Sequence, residues 1–134
     1  MIVYSGAVPR KNDLTNTPSF IAFAQTIFDL RSQRESLIAS NITNANTPGY
    51  KAVDINFQKA LTHALARAES EQPASAPVEF TTGFPAGLDG NDVSPTAEKL
   101  ESLQNMSAMG AEIQFLHQST SDLITALRPN PNGT

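Results

Sequence analysis

Between Ser94 and two closing prolines, Pro129 and Pro131, the chain carries one long helical pattern, and its length limits every fold the molecule can adopt. Ser94 is placed to cap and Pro95 to occupy the first turn, where a missing N–H costs nothing. Met106, Met109, Ile113, Leu116, Thr120, Leu123 and Leu127 follow at alternating spacings of three and four. Six of these seven are apolar, which is the pattern of a coiled-coil seam. Leu100 and Leu103 stand one position out of that register, so the seam should bend or change partner there. A helix over residues 94–128 spans roughly 50 Å, whereas a compact globule of this chain length is only about 36 Å across. The fold is therefore predicted to be mainly α and elongated.

A second helix is predicted over residues 17–46. Thr17 and Pro18 suit its start, and Phe20, Phe23, Ile27, Leu30, Leu37 and Ile38, with Ile42 and Ala45 beyond, keep a three-then-four rhythm along one face. Asn46 and Pro48 oppose continuation. The economical solution is a helical hairpin, coiled-coil-like, in which Ile27, Leu30 and Leu37 of the first helix meet the seam of the last. A short middle helix is expected over residues 54–70, after a brief alternation of Val53, Ile55 and Phe57. Residues 71–93 hold Pro73, Pro77, Gly83, Pro85, Gly87 and Gly90 and read as a weakly structured linker excursion, with one weak extended run over 78–82. Residues 1–16 read as a flexible arm ahead of a single elongated domain, residues 17–134. Neither long helix finds enough partners in one chain to cover its apolar surface, which points to association between subunits. Gly110, costly inside a helix, suits close approach of another helix.

Several kinds of chemistry are excluded. The net charge of −4 and the scattered lysines and arginines argue against duplex DNA or an anionic lipid surface as partner. Arg31 and Arg34 read as the solvated edge of a helix. Cysteine is absent, so there is no disulfide framework, thiolate zinc site or cysteine nucleophile. His63 and His117 lie on different predicted helices without metal-ligand spacing around them. Asp89, Asn91 and Asp92 lack the full ligand pattern of a calcium loop and read as a turn around Gly90. Neither a nucleophile elbow nor a glycine-rich phosphate loop is present. No enzyme activity, cofactor, metal or small-molecule substrate is expected. The opening residues lack the pattern of a cleaved signal peptide, and no apolar run is long enough to cross a bilayer.

Residues 37–57, LIASNITNANTPGYKAVDINF, drive an amphipathic helix into three asparagines and a Thr-Pro-Gly-Tyr stop. Asn is a mediocre helix former that favours caps and turns. The amides of Asn41, Asn44 and Asn46 donate and accept at once, so their clustering suggests recognition of a neighbouring backbone beyond local termination. The sequon-like matches at Asn41 and Asn105 fall within predicted helices and read as accidental.

Ser40, Asn41, Ile42, Thr43, Asn44, Ala45, Asn46, Thr47, Pro48, Gly49 and Tyr50 together resemble the N-terminal signature of the bacterial flagellar axial proteins that build rod and hook. The continuation over residues 50–57, the Leu88-Asp89-Gly90-Asn91-Asp92-Val93 run and the short length resemble the basal-body rod proteins of the proximal rod, the FlgB family. In place of that family's usual acidic helix start with a Glu-Met pair, this chain has Ser94-Pro95-Thr96-Ala97-Glu98-Lys99. The resemblance implies a structural subunit exported without a cleaved signal and assembled into the periplasm-spanning rod. It implies as partners the other rod proteins, the inner-membrane basal ring and the export gate, with self-association, and makes the asparagine segment a subunit contact. Another rod or hook protein, or a helical-hairpin adaptor or secretion chaperone, stands as the alternative.

Overall fold

A computed structural model of the protein describes residues 17–67, 74–81 and 83–129. The chain runs α1 (Thr17–Thr43), β1 (Val53–Ile55), α2 (Phe57–Ala66), β2 (Val78–Phe80) and α3 (Pro95–Leu127). It is mainly helical, with two long helices at the ends and a short one between. The arm expected over residues 1–16, and residues 130–134 of the tail, lie outside the described residues.

Helix α3 forms where its signals lie. Ser94 has extended backbone and its Oγ accepts from the Ala97 N–H, Pro95 occupies the first turn, and Glu98 places a negative charge near the helix N-terminus. Helix α1 stops earlier than residue 46. After Thr43 the chain tightens, with Ala45 N donating to Ile42 O at 3.2 Å and Thr47 N to Asn44 O at 3.0 Å. The Asn44 side chain also bonds Ser40 O at 2.8 Å, competing for a carbonyl of the last turn.

The middle of the chain departs further from the pattern. The short helix begins at Phe57, because Asn56 caps it by accepting from Lys59 N at 3.0 Å. Val53 to Ile55, β-branched at both ends, extend as a strand instead. Part of the expected excursion supplies the partner: β2 pairs antiparallel with β1 in the register Val53↔Phe80, Asp54↔Glu79 and Ile55↔Val78. Gln33 on α1 fastens the approach to that strand by donating to Ala76 O and accepting from Ala76 N, both at 2.8 Å.

These contacts decide where the core sits. Leu30, fully buried at 0% exposure, packs with Ile55, Ala60 and Ala76, and Leu37, Phe57, Leu61, Ala64 and Ala74 close around them. The apolar centre is therefore between α1, α2 and the strand pair, whereas α3 meets another side of α1. Asn41 touches Glu98 while Phe20 meets Phe115, ring centroids 6.0 Å apart and edge-on, so α1 and α3 run antiparallel. Replacing Leu30 by alanine removes a fully enclosed side chain from this centre and should cost about 2–5 kcal/mol. Urea unfolding followed by circular dichroism measures the loss.

Candidate functional site

The asparagine segment closes on its own chain. The Asn41 amide, 1% exposed, donates to Val53 O at 2.8 Å and Glu98 Oε2 at 3.1 Å, and accepts from Val53 N at 3.1 Å and Tyr50 Oη at 3.2 Å. Its full hydrogen-bonding capacity is met, and pairing with both backbone groups of Val53 fixes which end of the amide is nitrogen. Ser40 Oγ lies 3.4 Å from Tyr50 Oη and completes the ring of partners. The recognition of a backbone that the sequence suggests is real, but the backbone is β1 of the same chain. Asn41 has no capacity left for a neighbouring subunit.

The rest of the motif is shaped from the other side by the turn before α3. Asn91, buried, donates to Asn44 O at 2.9 Å and Thr47 O at 2.8 Å, covering carbonyls that the end of α1 leaves without helical partners. Pro48 and Gly49 form a tight turn closed by Tyr50 N donating to Thr47 O, with Gly49 at φ 73°. Gly90 also has positive φ, 80°, and a side chain there would stand 3.5 Å from Gly49 Cα. The two glycines let the two turns approach, and Gly49 N donates to Asp89 O at 2.8 Å across them. Asp92 adds a bond from Ala52 N, and Lys51 Nζ donates to Gly90 O at 2.7 Å. Asn44 is half-buried, while Ser40, Asn46, Thr47, Pro48 and Gly49 remain exposed.

Below the turn, α1 and α3 meet through polar side chains. Arg34, half-buried, makes a fork to Asp54 through Nε and Nη2 and reaches Glu101 at 2.7 Å. Its bonds to Asp54 raise the guanidinium above its already high value, against the opposing effect of burial. Arg31 stacks on the Phe57 ring, 4.0 Å from its centre, and pairs with Glu112 at 3.1 Å. Neither arginine is the solvated edge that the sequence suggested. Asn105, 0% exposed, donates to Arg31 O and Glu35 Oε2, both at 3.0 Å, and Ser102 donates to the other Glu35 oxygen. Asn105 Oδ1 has no partner among the described residues. Burial raises the Glu98 carboxyl above its ordinary range; the Asn41 amide opposes the shift, Asp54 and Glu101 add to it, and Arg34 opposes them.

The expected apolar seam is therefore redistributed. Leu30 and Leu37 face α2 and the strands. Ile27 and Leu116 do come together, lining with Phe20, Phe23 and Phe115 an apolar cleft of about 230 Å³. Met109 is half-buried, but Met106, Ile113, Leu123 and Leu127 are exposed. Asn91 was read only as part of a turn, and Asn105 went unnoticed as a structural residue. The signal for Asn105 was there: Glu98, Glu101, Asn105 and Glu112 share a helical stripe, complementary to Arg31, Arg34 and Glu35 on α1. Among the described residues no group of three His, Cys, Asp or Glu is placed to hold a metal ion, and no helix is long and apolar enough to cross a membrane.

The arrangement holds elements together and presents surfaces. A family model described as flagella basal body rod protein matches residues 30–51, which include Arg34, Asn41 and the Pro-Gly turn. The flagellar basal body rod protein FlgB of Aeromonas hydrophila is 34% identical over 122 residues, covering 78% of this chain and 89% of the relative. That of Escherichia coli K12 is 28% identical over 120 residues, covering 70% and 87%, and that of Cereibacter sphaeroides 32% over 112 residues, covering 74% and 86%.

Two outcomes test this geometry. Asn41→Ala strands both backbone groups of Val53 and should destabilise the free protein by about 2–4 kcal/mol, while Asn46→Ala should stay within about 0.5 kcal/mol in the same urea titration. For Glu98, a folded carboxyl raised above its unfolded value contributes stability that is complete below the ordinary carboxylate range and is lost as pH rises through the raised value. Glu98→Gln keeps an acceptor for Asn41 without the charge. Its melting temperature should exceed that of the native chain at neutral pH, and the gap should close on acidification to about pH 4.

Proposed function

The chain belongs to the FlgB family of flagellar basal body rod proteins, and from that membership we propose that it is a subunit of the proximal rod, the part of the drive shaft that crosses the periplasm. As a structural rod subunit its place is the flagellar basal body. The finer reading is carried by one observation. Similarity to a protein named FlgB runs over 89% of that relative's length, so it is not confined to residues 30–51.

The physical reading supports the role. A rod subunit has to resist torsion, and shear between two long helices is opposed by directional bonds more than by interchangeable apolar contacts. Asn41, Arg34 and Asn105 supply such bonds at three levels along α1 and α3. Subunits joined by a contact that does not close on itself generate a helical tube. Within the motif, the exposed Ser40, Asn46, Thr47, Pro48 and Gly49 touch neighbouring subunits, while Asn41, Asn44 and Tyr50 shape the turn from beneath. The partners are the other rod proteins, the inner-membrane basal ring and the export gate. Function follows from shape and contact, with no catalytic step, cofactor, nucleic acid, lipid or small-molecule substrate.

Deleting the gene should abolish motility, and restoring the chain with an affinity tag should return both motility and a tagged protein in purified hook–basal bodies. A protein absent from those particles in motile, complemented cells would overturn the assignment.

A further inference from the structure

Near the start of α1, the two long helices leave between them the apolar cleft of about 230 Å³, with walls made by the rings of Phe20, Phe23 and Phe115 and by Ile27 and Leu116. Phe23 and Phe115 stand 37% and 62% exposed beside it. The one charged side chain that lines the cleft is Glu112. Both hydrogen bonds from Arg31 end on Glu112 Oε1, and Oε2 accepts from no described residue. Aromatic and branched walls with a single spare carboxylate oxygen suit a side chain that has an apolar body and one hydroxyl donor at its tip. That is the chemistry of a tyrosine.

The chain has two tyrosines. Tyr50 is engaged at the other end of α1, where its hydroxyl donates to Asn41 and lies beside Ser40. Tyr4 belongs to residues 1–16, ahead of α1 and outside the described residues. The other stretches outside them, residues 68–73, Thr82 and residues 130–134, contain neither an aromatic nor a large aliphatic residue, whereas Ile2, Val3 and Tyr4 stand in succession. Connectivity brings this segment to the right place. Tyr4 precedes Thr17 by 13 positions, a length of chain that spans up to about 45 Å. Ile27, at the far side of the cleft, is ten positions into α1, or about 15 Å from its start. A tether of that length holds the ring at an effective concentration on the order of 1 mM, so a contact with a Kd of about 0.1 mM in isolation would be about 90% occupied. Charge favours the same approach, because Arg10 and Lys11 in the connecting stretch are cations on a chain whose net charge is −4.

We propose that Tyr4 seats its ring in the cleft of its own chain, against Phe20, Phe23 and Phe115, with its hydroxyl donating to Glu112 Oε2. The first residues of the chain thereby close the end of the α1–α3 pair that lies farthest from the Asn41 clasp. The inference is independent of the rod reading.

Nuclear Overhauser spectra of the free subunit test it. Cross-peaks should join the Tyr4 ring protons to the methyl groups of Ile27 and Leu116. In Tyr4→Ala, with the circular dichroism of the native chain, the Ile27 and Leu116 methyl resonances should move as the ring current is lost, while those of Ile38 and Ile55 stay in place. A mixture of one batch labelled only in tyrosine with another labelled only in isoleucine and leucine methyls should show no such cross-peaks, because ring and cleft belong to one chain. Absence of the cross-peaks in the native chain overturns the proposal, as do Ile27 and Leu116 resonances unmoved by Tyr4→Ala. Cross-peaks in the mixed sample also overturn it, since they would place the ring in the cleft of a second copy.

Discussion

Everything else in the molecule depends on one primary amide. Asn41 sits where the last turns of α1, the start of β1 and the first turn of α3 converge, and from α1 its four hydrogen bonds reach β1, α3 and Tyr50. An apolar side chain there could fill the volume but could not tell one register of α1 against α3 from the next. A hydrogen-bonding group with fixed donors and acceptors can, because a shift of one turn leaves several buried groups without partners. Once Asn41 is seated on Val53 and Glu98, Arg34 falls between Asp54 and Glu101, and Arg31 falls between Phe57 and Glu112.

The resulting helix pair inverts the usual distribution. Its contact surface is rich in charge and amide, its apolar core lies to one side against α2 and the strands, and large hydrophobic residues of α3 stand in solvent. Half-buried ion pairs contribute little net stability, because desolvation offsets much of their attraction, but a wrong pairing among them is costly. The pair is thus specified more strongly than it is stabilised. For a structural subunit of the rod, this leaves apolar faces exposed while the internal geometry stays fixed.

The sequence made the long helices legible because their signals are local: Ser94 and Pro95 at one end of α3, Pro129 at the other, and period throughout. The role of the asparagine cluster was half legible. That Asn41 should bind a backbone followed from its chemistry, whereas the identity of that backbone depended on Val53 lying alongside the end of α1 after a reversal of the chain. The helix-pairing face was misread because apolar period was followed and polar period was not. An apolar stripe at coiled-coil spacing coexists on α3 with a polar one, and only the partner helix selects between them. The short strands were half legible: the alternation at Val53 and Ile55 and the extended run from Val78 could be seen, whereas their pairing joins segments far apart in sequence.

Amide hydrogen exchange on the free subunit tests the central claim most directly. If the Asn41 clasp and the polar seam below it hold the structure together, protection should peak at the Val53 amide, in α1 from Leu30 to Asn41 and in α3 from Glu98 to Asn105. It should fall steadily beyond Ser119, where the described residues of α3 are exposed on every side. Protection that is uniform along both helices, or highest over the stretch from Ile113 to Leu127, would show that an apolar seam holds the pair and would contradict this account.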